Sequence, residues 1–233
     1  MPTYEELVSQ ILSKVQPIPG WASTLTLRTL IYLADRAIKF SKHEAPLLVE
    51  IGTWEGRSGL TLAHVAKAHC CQVICVDDYQ ADSFEAMAPL DTGDAELGAL
   101  ADYEGTARLR FICRQHEQGV KSTIDLRVKP SLEVAYQLAC NPSRPPIALV
   151  YLDGGKEEGE CLRDLCVWSL LVEPGGYLVV HDAHNHALPV SHDCYFWFCQ
   201  AMEQGAGWEC VIEDDLGNAI GRNPVHSGWP RVE

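Results

Sequence analysis

Positive charge is scarce in this sequence: 18 lysines and arginines stand against 32 aspartates and glutamates, for a net charge of −14. A chain without a basic surplus has little to neutralise a phosphate backbone, so a nucleic acid is not expected as its main partner, nor is an anionic membrane surface. No window of about 18 uncharged apolar residues occurs, so no transmembrane span is expected. The first residues, MPTYEELVSQ, hold two glutamates and no basic stretch. A secretory leader is therefore not expected, and a cytoplasmic location is. Among the 10 cysteines there is no C-x-x-C, which removes the basis for a zinc ribbon or a thioredoxin-type site. The thiols read as reduced and buried. No G-x-G-x-x-G, internal repeat or low-complexity tract is present.

What the chain does have is a strand, a glycine turn and a helix in direct succession, LLVEIGTWEGRSGLTLA over 47–63. Leu47, Leu48, Val49 and Ile51 suit one buried parallel strand. Gly52 and Gly56 punctuate the turn, and Leu60, Leu62, Ala63 and Ala66 start an amphipathic helix. This geometry brings backbone close to a ligand: Gly52 has no Cβ to block the approach, and the helix N-terminus at Ser58 offers unpaired N–H groups. Glu50 departs from a dinucleotide site, because a carboxylate there accepts hydrogen bonds or faces a cation but repels a pyrophosphate. A second strand over 72–76 ends in Asp77-Asp78. An acidic residue about 21 positions past the last glycine suits the hydroxyls of a ribose, with Asp77 in register and Asp78 the alternative if the strand runs longer.

Around this centre the chain divides into three parts. Two helices, with apolar faces from Leu7 to Val15 and from Leu25 to Ile38, occupy residues 1–45 and read as a cover for the active site or a surface that pairs subunits. Residues 46–225 form the main domain. Within it, 80–105 is acidic, lacks lysine and arginine, and reads as an inserted lid or substrate loop. Further on, Ser131 reads as an N-cap for the helix SLEVAYQLAC. The run from Ile147 supplies a strand ending in Asp153, a helix, a Pro174-Gly175-Gly176 turn, and a strand ending in His181-Asp182. A hairpin over about 208–221 closes the domain, and 226–233 is a tail.

Glu50-x-Gly52-x-x-x-Gly56 and YLDGGKEEGECLRDLCVWSLLVEPGGYLVVHDAH together resemble class I S-adenosylmethionine-dependent methyltransferases. They look most like the branch of small-molecule O-methyltransferases and cephalosporin-hydroxylase-like proteins. The resemblance covers about residues 46–185. It implies an α/β, Rossmann-like, doubly wound sheet, mostly parallel with an antiparallel last strand and helices on both faces. It implies methyl transfer to a small-molecule hydroxyl, with Glu50, Gly52, Gly56, Ser58, Asp77, Asp78 and Ser131 toward the cofactor. Asp153, His181 and Asp182 become the catalytic candidates, and Asp153 and Asp182 the candidate ligands of a Mg²⁺ ion. Ala183 stands where the catechol-type pattern expects an amide ligand, so the group His181, Asp182, His184, His186, His192 stays open as a source of a base or of ligands for a softer metal. The alternatives are an NAD-dependent oxidoreductase and a non-catalytic cofactor-binding member of the fold. A homodimer through the N-terminal helices is the candidate assembly.

Overall fold

Apolar runs of five or six residues, each followed by an amphipathic helix, build the centre of the molecule. In a computed structural model of the chain, which describes residues 3–80, 106–203, 208–213 and 218–223, these runs form one seven-stranded sheet. The strands are β1 (Leu47–Ile51), β2 (Gln72–Val76), β3 (Ile124–Arg127), β4 (Ile147–Leu152), β5 (Val172–Val180), β6 (Glu209–Glu213) and β7 (Ala219–Arg222). Their spatial order is β3-β2-β1-β4-β5-β7-β6. The first five pair in parallel, while β7 runs antiparallel between β5 and β6. The strand order reverses beside β1, which is where an open α/β sheet leaves a crevice for a ligand.

The helices among the described residues are α1 (Tyr4–Val15), α2 (Thr24–Phe40), α3 (Arg57–Ala68), α4 (Thr106–Glu117), α5 (Ser131–Ala139), α6 (Glu160–Ser169) and α7 (Val190–Glu203). Successive strand residues face opposite sides, so the sheet has two cores. Leu48, Cys75, Leu149 and Val179 pack under α1, α2 and α3, while Val49, Ile74, Val150 and Leu178 pack under α5, α6 and α7. The two N-terminal helices therefore share a core with the sheet itself. Thr3 and Glu6 cap α1 reciprocally, and Ser23 caps α2 by accepting the Thr26 N–H at 3.0 Å.

Three local expectations change. The Pro174-Gly175-Gly176 turn lies inside β5: Val172 pairs with Ile147 and Tyr177 with Leu149, so the residues between bulge outward. Asn223 pins the bulge, donating its side-chain amide to the Val172 carbonyl at 2.8 Å. Ser131 is the first residue of α5 and not its N-cap, a place taken by Pro130. The thiols are free among the described residues, but Cys70, Cys113, Cys140 and Cys166 are exposed, because each sits on the outer face or at the end of its helix. The 80–105 insertion beyond Gln80, the turn at 214–217 and the tail at 226–233 lie outside the described residues.

Candidate active site

The carboxyl ends of β1, β2, β4 and β5 open into a cavity of about 1040 Å³. Three residues other than glycine at its wall hold left-handed backbone: Trp54 (φ 44°), Tyr79 (φ 55°) and Asp182 (φ 59°). Such conformations cost about 1–3 kcal/mol each and persist where surrounding contacts enforce them, commonly at functional sites.

The enforcing contacts converge on Asp77. Its Oδ2 accepts the Trp54 N–H and its Oδ1 the Tyr79 N–H, both at 2.7 Å, and the Tyr79 hydroxyl donates to the Trp54 carbonyl at 3.2 Å. Burial raises the Asp77 pKa, and the two backbone N–H groups work against that rise. Asp77 thus ties the glycine turn to the end of β2 while bordering the cavity. Asp78 is exposed and accepts the Gln80 N–H at 3.1 Å.

The glycines also answer to packing within the chain. Gly52 has φ +85°, and a Cβ there would collide with the carbonyl of Asp153 on the neighbouring strand. The β1–β4 approach and the positive φ already demand glycine here, and Gly52 also borders the cavity. At Gly56 (φ +85°) a Cβ would enter the ring of Phe111 in α4. Glu50 lies one layer below. It is wholly buried, and a Cβ on Gly59 would strike its carboxylate. Neither carboxylate oxygen completes a hydrogen bond of good geometry. Burial drives its pKa up to about 8, against the pull of the nearby Ser58 and Thr53 hydroxyls. Ser58 is buried and borders the cavity between Glu50 and solvent.

Opposite the turn, four charged side chains meet. His181 Nδ1 lies 2.9 Å from Asp153 Oδ1 and 3.2 Å from Asp182 Oδ2. Lys156 Nζ lies 3.0 Å from Asp153 Oδ1 and 3.4 Å from Asp182 Oδ2. The strand ends position both aspartates, and the Gly154-Gly155 step turns Lys156 back over them. Burial works to lower the His181 pKa, but the two carboxylates raise it to about 9. The His181 ring in turn holds Asp182 down near 2. For Lys156, burial opposes the charge, yet Asp153 and Asp182 leave its pKa raised. The cluster thus sets His181 and Lys156 against the carboxylates of Asp153 and Asp182.

Lys156 was not among the residues singled out from the sequence; its signal is the i+3 spacing from Asp153 across two glycines. Asp153, His181 and Asp182 each offer one ligand atom, all within 4.8 Å of one another. Of the other histidines, His186 and His192 are exposed, and His186 Nδ1 pairs with Ser191 Oγ at 3.1 Å. None of His184, His186 and His192 joins the ligating group among the described residues. Ser131 borders the cavity with its hydroxyl engaged: it donates to Asp164 at 2.7 Å and accepts from the Trp168 indole at 2.7 Å. The α1–α2 loop completes the wall. Trp21 stacks on Trp54 with ring centroids 4.7 Å apart, and Arg57 donates to the Gly20 carbonyl at 2.7 Å.

Comparison with known proteins places this geometry. No curated protein matches the sequence. Among solved structures, cofactor-bound Rv0187 from MTB superimposes with a TM-score of 0.62 at 17% identity, over 94% of this chain and 89% of that one. The O-methyltransferase TomG from Streptomyces achromogenes, involved in tomaymycin synthesis and solved with SAM, gives 0.61 at 15% identity over 94% and 90%. An O-methyltransferase from Bacillus cereus, solved with SAH, gives 0.59 at 12% identity over 95% and 92%. At these identities the likeness is one of fold. A methyltransferase-domain family model matches residues 49–183, from within β1 to the residue after Asp182. That span is more than half of the chain and contains the glycine turn, Asp77 and the whole charged cluster, so the chain belongs to the methyltransferase-domain family.

Proposed function

We propose that this protein transfers the methyl group of S-adenosylmethionine to a hydroxyl of a small molecule. One observation carries the reading: a single cavity joins the glycine turn and Asp77 to the cluster of Asp153, Lys156, His181 and Asp182. Its volume holds a cofactor and an acceptor together. The residues suit the cofactor. Asp77 takes backbone N–H groups on both oxygens and still borders the cavity, where a ribose hydroxyl can reach it, with Asp78 beside it. Ser58 and the start of α5 at Ser131 border the same space, Gly52 lines it, Gly56 lets α4 pack behind the turn, and Glu50 lies beneath it.

When bound, the cofactor supplies a methyl group on a cationic sulfonium. The chain holds the acceptor in line and manages its proton. Asp153 and Asp182 orient the hydroxyl, while Lys156 and His181 balance the negative charge that grows on its oxygen. The nearness of three ligand atoms favours a second reading, in which Asp153, Asp182 and His181 hold a divalent cation. A nitrogen donor suits zinc or manganese better than magnesium, and the ion would have to displace the Lys156 ammonium. The two solved relatives described as O-methyltransferases point to oxygen as the acceptor atom. An NAD-dependent oxidoreductase finds no such support.

Calorimetry with S-adenosylmethionine is the direct test. A dissociation constant in the micromolar range, about −8 kcal/mol, is expected. No heat and no thermal shift with the cofactor or its demethylated product would end this reading.

The net charge of −14 speaks against nucleic acid as a partner, and no helix among the described residues is long and apolar enough to cross a membrane. The free thiols fit a reducing cytoplasm. The N-terminal helices, besides walling the cavity, offer a surface for pairing two copies. Leu25, Tyr32 and Phe40 of α2 are 51%, 45% and 67% exposed on one helical stripe, with the Arg36 guanidinium 4.9 Å from the Phe40 ring centre. Sedimentation should give twice the chain mass, and Phe40→Glu should halve it. A parent protein that sediments as a single chain at high concentration would rule the pairing out.

A further inference from the structure

Behind the glycine turn, on the side away from the cavity, lies a charged group that the proposed chemistry does not use. Glu55 is wholly buried. Its Oε1 lies 2.5 Å from Arg110 Nη2 and its Oε2 2.7 Å from Arg114 Nη1, both arginines coming from α4. Arg114 reaches further and also donates to the Glu55 backbone carbonyl at 3.0 Å. Between the two arginines, the Phe111 ring fills the space where Gly56 lacks a Cβ. The turn is thereby held on two opposite sides, by Asp77 through the Trp54 N–H and by α4 through Glu55.

A buried ion triad is a poor source of stability, because the desolvation of three charges offsets most of their attraction. What it fixes is geometry: Arg110 Nη2 holds one carboxylate oxygen, and Arg114 Nη1 holds the other together with the Glu55 carbonyl, leaving side chain and backbone one position. The residue so fixed adjoins Trp54, whose left-handed backbone has to be imposed from outside.

We propose that Glu55 is a positioning residue for cofactor binding, holding the Gly52–Gly56 turn in its binding shape through Arg110 and Arg114. The proposal rests on the reading of the cavity as the cofactor site. It also makes α4 part of the binding apparatus, although α4 contributes no residue to the cavity wall. The two arginines should then differ. Arg110 is the more buried, at 9% exposed against 18%, and among the described residues its ion pair is with the carboxylate alone. Arg114 grips carboxylate and backbone together. A role in stability alone ranks Arg110 first, whereas a positioning role ranks Arg114 first.

The experiment compares Arg110→Met, Arg114→Met and Arg114→Lys with the parent. It reads melting temperature, the dissociation constant for S-adenosylmethionine well below each melting point, and hydrogen exchange of the 53–57 amides without cofactor. Arg114→Met should weaken binding at least about tenfold and speed exchange in the turn, more than Arg110→Met does, with turnover at saturating cofactor within about twofold of the parent. Arg114→Lys, which keeps the charge but changes the reach and the planar shape of the head group, should fall between and stays informative if the methionine variant does not fold. Binding within about twofold of the parent in every folded variant would overturn the proposal, as would a larger binding loss at Arg110 than at Arg114. A parent that binds no cofactor would overturn the cofactor reading and the positioning role together. A parent that binds while the variants match it overturns the positioning role alone.

Discussion

Lys156→Met should lower methyl transfer by at least about a hundredfold, with the affinity for S-adenosylmethionine within about threefold of the parent. The two aspartates that end β4 and β5 converge on a common point, and two carboxylates so placed favour a cation between them. In the sequence that need pointed to a metal. In the structure Lys156 meets it with its own ammonium, partly exposed to the cavity where an acceptor would lie. Methionine keeps the length and apolar stem of the side chain and removes the charge, so the fold should persist. The developing oxyanion would then face two carboxylates with only His181 to offset them. Turnover with and without a chelator separates the two readings. If Lys156 supplies the charge, chelator leaves the parent unchanged and the variant stays slow. If a divalent cation supplies it, chelator silences the parent and Lys156→Met retains activity in the presence of the metal. Full activity of the variant in chelator would remove both from the mechanism.

Legibility in the sequence followed the range of the interaction. The sheet could be read because strands buried on both faces are continuous apolar runs, and because Gly52, Asp77, Asp153 and Asp182 each close one of them. The antiparallel β7 followed from the family resemblance and its place in the chain. The pocket's supporting contacts could not be read. Glu55 lies 55 and 59 positions from the arginines that hold it, and nothing local to either segment announces the pairing. Nothing local marks Gly59, which makes room for Glu50 across the layer between sheet and helix. Gly52 carries a second demand that its own segment does not show, since the carbonyl its missing Cβ avoids belongs to Asp153, just past the end of β4. Lys156 stands only three residues beyond Asp153, but the return of the chain over Gly154 and Gly155 that brings it to the site is a tertiary fact. The exposed cysteines were misread for a similar reason: composition shows that thiols are free of pairing motifs and says nothing of which helix face they occupy.

Glu50→Gln should stabilise the protein at high pH and leave it almost unchanged at low pH. Glu50 is wholly buried between β1 and α3, with no cation beside it and with Asp77 and Asp153 raising its pKa further. Burial dominates, taking the carboxyl from an ordinary 4.5 up to about 8. The folded state therefore holds this proton more tightly than the unfolded state. Below the unfolded value both states are protonated and the stability associated with the neutral acid is fully present. As pH rises from about 4.5 to about 8 the unfolded state releases the proton first, and that stability is lost. At about 1.4 kcal/mol per pH unit the loss is on the order of 5 kcal/mol, a large part of the stability of a typical domain. Glutamine keeps the shape and the neutral charge at every pH, so it carries no such slope. Urea denaturation of parent and variant at intervals from pH 5 to pH 9 isolates the effect, because every other titrating group is common to both. The difference curve should already be rising in favour of the variant at pH 5, continue to rise, and level off above pH 8. Parallel curves would mean that Glu50 is ionised throughout and paired with a cation in the folded state, and a difference growing toward low pH would show its pKa depressed instead of raised.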